Sequence, residues 1–314
     1  MIRARDLSSW NQIVRFASLE EFHEDMAKDR VVFPIGEFVL TIAYGNSNLD
    51  FLIHNRASPN TLVVFHSSLS QRAKTTPQLP GVGLASDTGT NLVSIADPTI
   101  ELGDIDLAWF IGNSEIGSLP PVVAGILNKI VLQLASVRTV FFGASGGAYA
   151  ALLHAFEFVP DVVLAVNPRL DLGARPYPAF GQYLEVAFQA KTNLQRIRVR
   201  DKFVKVSMED LVAQSGLPFA LFIYQNIQDR QYLRFQTKPF LEGLPDRANV
   251  QIRFERDGAG HRPIPPEKLR HIVRQLCDIS SVAQAPVADN FVCHKKALCQ
   301  IASGLNARND FSSE

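Results

Sequence analysis

The chain has 314 residues, of which 46% are hydrophobic and 20% are charged, and its 31 basic and 31 acidic side chains give a formal net charge of zero. This length can bury a large core within one enzyme-sized domain. A net charge of zero argues against nucleic-acid or membrane-surface binding driven by bulk electrostatics. No apolar run approaches 20 residues, so no membrane span is predicted.

The start of the chain and its cysteines bear on the compartment. Residues 1–11 contain no apolar stretch after their arginines, so no secretion signal is predicted. Cys277, Cys293 and Cys299 are an odd number without metal-like spacing, which suits a reducing compartment. We therefore expect a cytoplasmic protein with no metal site and no cofactor.

Predicted strands and helices alternate along the chain. Two strand-like runs at 37–44 and 49–54 flank a Gly/Asn-rich spacer, which predicts an antiparallel hairpin. Residues 67–90, rich in Ser, Pro, Gly and Thr, are predicted to form a long loop, and residues 119–136 have the periodicity of a helix. Helical stretches between successive strands predict right-handed crossovers and a mostly parallel sheet. Further apolar strands are expected at 61–65, 91–96, 161–166, 218–224 and 250–254.

The most informative segment is the apolar strand that begins at Thr139 and runs into Gly143-Ala-Ser145-Gly-Gly147 before a helical stretch. Its turn matches the pattern G-x-S-x-G. Only small neighbours allow a strand and a helix to approach so closely around a strained serine. Such a turn exposes the hydroxyl and directs the first N–H groups of the helix at the atom under attack. Ser145 is therefore the candidate nucleophile.

A histidine and an acid follow in the order that this chemistry uses. His261 lies in a Gly-rich loop after the strand at 250–254, where its imidazole can reach the strand ends. Asp229 follows the preceding strand and is the first candidate for the acid that orients the histidine. Two alternatives stay open: Asp229 caps the next helix or pairs with Arg230, and Asp171 is the reserve acid.

These residues resemble the α/β-hydrolase superfamily over roughly positions 30 to 280. The resemblance implies a mostly parallel sheet with helices on both faces, and an oxyanion hole from the Gly146 N–H and an N–H near Ser67. The superfamily's usual His-Gly motif after the third strand is Phe-His66-Ser67-Ser here, so serine replaces glycine. The chain is also similar to a bacterial branch whose members resemble accessory proteins of cell-surface glycan or glycoprotein assembly. The segments that carry this second resemblance are Phe65–Ser68, Asp97-Pro98, Ala108-Trp109-Phe110, the Gly143–Gly147 turn and Asn167-Pro168-Arg169.

The predicted chemistry is that of a serine-dependent acyl hydrolase of the esterase type, acting through an acyl-enzyme. An acyltransferase, or a peptidase or amidase, would use the same residues. A non-catalytic assembly or binding protein that keeps the fold is the alternative from another class, favoured by the altered loop at Ser67. His66 and Arg169 lie at strand ends, where open α/β sheets bind ligands, and are candidate substrate contacts. The expected partner is a small-molecule or glycan-linked ester.

Two regions depart from the alternating pattern. Residues 171–214 form an insertion within a single domain of residues 1–282, and such insertions commonly cap the serine in α/β hydrolases. Arg196, Arg198 and Arg200 alternate there, as on one face of a strand that offers charge to an anionic substrate, or else form a solvated basic face. Residues 283–314 are predicted to form a short helix and tail, a candidate segment for homo-oligomer or partner contacts.

Overall fold

The structure is a computed structural model that describes residues 2–174, 177–246, 248–278 and 290–306. Within these ranges, no helix combines the length and the apolar composition that crossing a membrane requires. The strands are β1 (Ala4–Arg5), β2 (Ile13–Phe16), β3 (Gly36–Tyr44), β4 (Ser47–Asn55), β5 (Asn60–Phe65), β6 (Thr75–Thr76), β7 (Asn91–Ile95), β8 (Gly112–Asn113), β9 (Gly117–Ser118), β10 (Arg138–Ala144), β11 (Val162–Val166), β12 (Ala220–Asn226), β13 (Val250–Glu255) and β14 (Val292–Cys293). The helices are α1 (Leu19–Ala27), α2 (Val82–Thr88), α3 (Leu119–Gln133), α4 (Gly146–Phe158), α5 (Pro178–Phe188), α6 (Asn193–Phe203), α7 (Met208–Ser215), α8 (Arg230–Tyr232), α9 (Lys238–Glu242), α10 (Pro266–Asp278) and α11 (His294–Asn306).

In the part of the chain that the structure describes, ten strands form one sheet in the order β14-β13-β12-β11-β10-β5-β7-β4-β3-β2. The six strands from β13 to β7 in this order are mutually parallel. Strands β3 and β4 form the expected antiparallel hairpin, and β4 also pairs antiparallel with β7. The predicted α/β class with a mostly parallel sheet is confirmed. The carboxyl ends of all six parallel strands lie at the same edge of the sheet, and the candidate site lies at that edge.

Both faces of the central strands are buried. Along β5, Val63 packs in one apolar cluster and Val64 in the other, on the opposite face; Phe141 and Val140 of β10 divide in the same way. Strands buried on both faces favour continuous apolar runs, which explains why these strands were recognisable in the sequence. Helix α4, which carries the candidate nucleophile at its start, is buried along most of its length between the sheet and α3. The core therefore holds this helix rigidly.

Two segments differ from their sequence-based predictions. Residues 67–90 are not a continuous loop, because they contain β6 and α2. Residues 193–203 form helix α6, so the interpretation of its alternating arginines as one face of a strand is wrong. A capping box starts this helix: the Thr192 hydroxyl accepts from the Gln195 N–H, while the Gln195 side chain accepts from the Thr192 N–H. None of its residues is buried, which matches the solvated basic face.

The C-terminal segment contributes to the same sheet. Strand β14 pairs antiparallel with β13 at the sheet edge, and the fully buried Phe291 packs edge-on against Phe222 with ring centroids 5.2 Å apart. Ala297 and Ile301 of α11 are also buried. The part of this segment at 290–303 thus packs on the core, while 279–289 and 307–314 lie outside the described residues. Homo-oligomer or partner contacts through this segment stay a prediction.

We predict that Phe291→Ala lowers the free energy of unfolding by about 3–5 kcal/mol, because it leaves a cavity beside Phe222. Denaturant unfolding measures the change. The control is Leu132→Ala, whose side chain is 74% exposed and which should change stability by at most about 0.5 kcal/mol. Equal stability of the two variants would show that the C-terminal segment does not belong to the domain core.

Candidate active site

Ser145 stands in a strained turn between β10 and α4. Its backbone has φ 52° and ψ −117°, a combination that residues other than glycine rarely adopt. It is the N-cap residue of α4, yet its side chain makes no capping hydrogen bond. Its hydroxyl is therefore available for other contacts, and the residue is partly exposed to solvent.

Three glycines around Ser145 are required by lack of space. A Cβ on Gly143 would lie 2.1 Å from the carbonyl oxygen of Gly147, and a Cβ on Gly147 would lie 2.5 Å from that of Phe65. A Cβ on Gly146 would lie 2.3 Å from the Leu107 side chain. Real Cβ atoms do not approach other atoms so closely, and backbone oxygens cannot move aside. The sequence pattern is thus explained by the contact between the start of α4 and the end of β5.

His261 and Asp229 are in contact. The Nδ1 atom of His261 lies 2.6 Å from Oδ2 of Asp229, and the Asp229 carboxylate is almost fully buried, whereas the His261 side chain is 36% exposed. The other oxygen, Oδ1, accepts from the Tyr232 N–H at 3.2 Å and caps α8. One carboxylate therefore makes both contacts that sequence reasoning treated as alternatives. Its two oxygens fix the start of a helix relative to the imidazole.

Tyr232 was missed by the sequence analysis. Its ring stacks on His261 with centroids 3.9 Å apart and an interplanar angle of 24°. Its hydroxyl oxygen lies 3.3 Å from Oγ of Ser145 and accepts from Nη2 of Arg169 at 3.4 Å. The hydroxyl of Ser145 thus contacts Tyr232 in this structure, while no hydrogen bond joins it to His261 within the described ranges. An aromatic residue three positions after a helix-capping acid is the signal that could have drawn attention to it.

Two buried asparagines hold the histidine loop against the sheet edge. Nδ2 of Asn226 donates to the carbonyl oxygens of Gly258 and Gly260, at 2.8 and 3.1 Å. Nδ2 of Asn167 donates to the carbonyl oxygen of Arg262 at 2.9 Å, and its Oδ1 accepts from the Asn226 N–H at 2.7 Å. The loop around His261 is therefore tied on both sides to the ends of β11 and β12. Gly258 and Gly260 have φ of 99° and 82°, which only glycine adopts without strain.

The candidate oxyanion loop is held by His66. Its Nδ1 lies 2.8 Å from the Ser67 carbonyl oxygen, and its Nε2 accepts from the Asp97 N–H at 3.4 Å. Burial lowers the pKa of His66 to about 4, so the ring is neutral at physiological pH. Since both ring nitrogens have protein partners, neither is available for the substrate contact that the sequence suggested. Gly146, at the first position of α4, has a backbone N–H without an acceptor inside the helix.

Asp97 fixes a second strained segment beside the serine. Its carboxylate accepts from the N–H groups of Thr99 and Phe110, at 3.0 and 2.6 Å. Trp109 and Phe110 both have φ of 55°, and both are fully buried. Burial raises the pKa of Asp97 to about 6, and the two backbone N–H groups oppose that rise. The Asp97 carboxylate thus holds in place the turn that packs Trp109 against the start of α4.

The reserve acid, Asp171, has other contacts. Its Oδ1 accepts from the Gly173 N–H at 2.6 Å, and its backbone forms an isolated antiparallel bridge with Ser207. Arg169 lies nearer the serine, since its N–H donates to the Ser145 carbonyl oxygen at 3.1 Å. In the described part of the chain, no three His, Cys, Asp or Glu side chains are grouped as ligands for a metal ion.

Solved structures share this architecture. The capsule O-acetyltransferase of Neisseria meningitidis serogroup A matches with a TM-score of 0.57 and 13% identity, over 76% of this chain and 93% of that chain. An S-formylglutathione hydrolase from Agrobacterium tumefaciens matches with a TM-score of 0.52 and 16% identity, over 78% and 94% of the two chains. The chain has the α/β-hydrolase fold. A glycosylation-associated protein complex (Gap123) from Streptococcus agalactiae also shares the fold, with a TM-score of 0.50 and 14% identity over 71% of this chain and 43% of that chain.

At the level of sequence, no protein-family profile and no curated protein matches the chain significantly. Each of these three solved structures is at most 16% identical in sequence to this chain. Such distant matches establish the arrangement of strands and helices. The chemistry of the site depends on the residues of this chain.

We predict that Gly147→Ala strongly destabilises the protein, because the new methyl group meets the carbonyl oxygens of Phe65 and His66. Thermal unfolding should show a large loss of melting temperature, or the variant should be insoluble. The control is Gly83→Ala in α2, where no atom of the described residues lies within 4 Å of the added Cβ and alanine should stabilise the helix by about 0.5–1 kcal/mol. A Gly147→Ala protein as stable as this control would contradict the close contact of α4 with β5.

Proposed function

We propose that this protein is a serine-dependent acyl hydrolase that works through an acyl-enzyme, with Ser145 as nucleophile, His261 as general base and Asp229 as the orienting acid. The observation that carries the proposal is the strained, uncapped Ser145 at the elbow, on the same sheet edge as the 2.6 Å pair of His261 and Asp229. The chain order serine, acid, histidine is also that of the α/β-hydrolase triad.

The proposed chemistry follows from which atoms are already engaged. Since Asp229 occupies Nδ1 of His261, the Nε2 atom is left to accept the Ser145 proton as Oγ attacks the acyl carbonyl. The N–H of Gly146 and an N–H near Ser67 would donate to the oxyanion that forms. The imidazolium then gives its proton to the departing alcohol, and water attacks the acyl-serine with the same base. No cofactor takes part in these steps.

One contact must change before the first step. The Ser145 Oγ lies against the Tyr232 hydroxyl, so it must exchange this partner for Nε2 of His261. Catalytic hydrogen bonds are often long or misaligned in unliganded enzymes and tighten when substrate binds. This exchange requires the serine side chain to rotate and the Tyr232 hydroxyl to be displaced.

An acyltransferase is the second candidate, favoured by the match to an O-acetyltransferase that acts on capsule. It would use the same three residues but pass the acyl group to an alcohol instead of water. The capsule and glycosylation-associated matches support a glycan-linked ester, or a glycan hydroxyl as acceptor, as the substrate class of either reaction. Mass analysis of products formed from an activated acetyl ester with and without added glycan separates transfer from hydrolysis.

A non-catalytic binding or assembly protein is favoured by the contact of Ser145 with Tyr232 and by the serine at position 67, where the superfamily usually has glycine. Such a protein would keep the fold and show no covalent chemistry at the elbow. A peptidase or amidase would instead show the same labelling at Ser145 and cleave amides. Reactivity of Ser145 therefore separates the non-catalytic protein from the enzymes, and cleavage of amides separates a peptidase or amidase from an esterase.

We predict that a fluorophosphonate probe labels Ser145 and that Ser145→Ala abolishes the labelling, because alanine removes the nucleophile and still fits the turn. Gel fluorescence and peptide mapping measure the adduct, and the melting temperature checks the fold. Ser215→Ala, at the exposed end of α7, is the control and should label like the wild type. No labelling of the folded wild type, or undiminished labelling of Ser145→Ala, would remove the enzyme proposal.

We predict that Asp229→Asn slows phosphonylation or ester turnover by about 10³–10⁴-fold, because an amide in place of Oδ2 would favour the wrong tautomer of His261. The capping contact of Oδ1 with Tyr232 can persist, so the fold should survive. Asp171→Asn, in the reserve acid, serves as the matched control and should stay within about threefold of wild type. Rate constants at saturating probe decide which aspartate is the acid. A slow Asp171→Asn together with a nearly unchanged Asp229→Asn would make Asp171 the acid.

A further inference from the structure

Among the residues that the structure describes, Arg169 is a buried guanidinium without an acidic partner. The residue is 8% exposed, and within the described ranges no carboxylate lies within salt-bridge distance of it. Its side chain makes one hydrogen bond there, from Nη2 to the Tyr232 hydroxyl at 3.4 Å, and its Nε is buried with no partner. By contrast, the buried Arg3 pairs with Asp106, and Arg5 pairs with Asp50 at 2.7 Å.

The position of Arg169 is nevertheless fixed. Its Cζ lies 3.7 Å from the centroid of the Tyr177 ring, a cation–π contact that partly offsets the loss of water. Its backbone N–H donates to the Ser145 carbonyl oxygen, which ties it to the candidate nucleophile. A buried charge that lacks a hydrogen-bonded counterion is costly to the folded state. An anion bound at this guanidinium would remove that cost.

A second donor without a partner lies on the same aromatic cluster. The indole Nε1 of Trp109 is buried and makes no hydrogen bond to any residue in the described part of the chain. The Trp109 ring meets Tyr177 edge-on at 5.9 Å, and its Nε1 is the atom 3.1 Å from where a Cβ of Gly146 would lie. Two buried N–H donors beside the elbow, Nε of Arg169 and Nε1 of Trp109, therefore find no acceptor among the described residues.

We propose that Arg169 binds a carboxylate carried by the substrate, so that the enzyme acts on acidic esters; this inference rests on the proposed function. One guanidinium offers one positive charge and a planar pair of donors, which match the single charge and planar oxygens of a carboxylate. The carboxylate takes Nε and Nη2 and displaces the Tyr232 hydroxyl from Arg169. Release of that hydroxyl also frees the Ser145 Oγ to turn toward His261.

The test measures binding without turnover. The chain has two tryptophans, Trp10 and Trp109, so Trp10→Phe makes Trp109 the reporter, and Ser145→Ala removes the nucleophile. In this double variant, monomethyl succinate should change the tryptophan fluorescence saturably, and the neutral dimethyl succinate should bind at least about tenfold more weakly. Adding Arg169→Gln should weaken monomethyl succinate at least about tenfold, an effect that Arg169→Lys should partly reverse because charge is kept.

The control for charge alone is Arg198→Gln on the exposed face of α6, which should leave the dissociation constant within about twofold. Equal affinity for the acidic and neutral esters, unchanged affinity in Arg169→Gln, or tighter binding of inorganic phosphate than of monomethyl succinate would each overturn the proposal. The comparison of the two esters needs no Arg169 variant, so it decides the matter even if that variant fails to fold. Because binding is measured with Ser145→Ala, the outcome is separate from whether Ser145 reacts with phosphonates.

Discussion

The space between the first turn of α4 and the end of β5 is the constraint on which the rest of the site depends. The backbone of Gly147 lies against the carbonyl oxygens of Phe65 and His66, and that of Gly143 lies against Gly147 itself. Because the helix starts this close to the sheet, the chain must reverse within one residue, and Ser145 takes up the strain at φ 52°. Packing of α4 in the core offsets this strain, since the helix is buried along most of its length. The same contact brings the candidate oxyanion loop beside the serine.

A second set of polar contacts fixes the loops that face the elbow. Asn226 and Asn167, at the ends of neighbouring parallel strands, bond to one another and to carbonyl oxygens in the loop of His261. Asp229 then joins that loop to the start of α8 through its two oxygens. Buried amides satisfied in this way hold a single arrangement, because breaking any one contact leaves a desolvated polar group. The imidazole is thus placed by backbone and side-chain contacts that lie below it, while its outer side remains open to solvent.

Tyr232 and Arg169 distinguish this site from a minimal serine triad. The phenol stacks on the imidazole and reaches both the Ser145 hydroxyl and the guanidinium. A single hydroxyl therefore connects the candidate nucleophile to a buried positive charge. On the proposal that Arg169 binds substrate, a ligand that takes its donors would also displace the hydroxyl that contacts Ser145.

The sequence by itself determined the parallel sheet, the hairpin of β3 and β4, and the elbow at Ser145. These features depend on contacts between near neighbours in the chain, or on apolar runs that any strand buried on both faces needs. The pattern of Gly143 and Gly147 around Ser145 was visible because each of these glycines lies against backbone atoms, of the turn itself or of the neighbouring strand β5. The alternating arginines of α6 suggested a strand face as one of two alternatives, whereas the capping box of Thr192 and Gln195, also present in the sequence, indicates the helix that forms.

Only the tertiary structure decided which side chains meet at the elbow. Asp229 could cap a helix or orient a histidine, and its two oxygens do both because α8 starts beside a loop that is 32 residues away in the chain. The contact between Tyr232 and the guanidinium of Arg169 has no local signature in the sequence, since it joins residues 63 positions apart. The physical reason is that patterns of apolarity and turn residues encode local backbone form. The partners of a polar side chain are set by where separate strands end on a common edge.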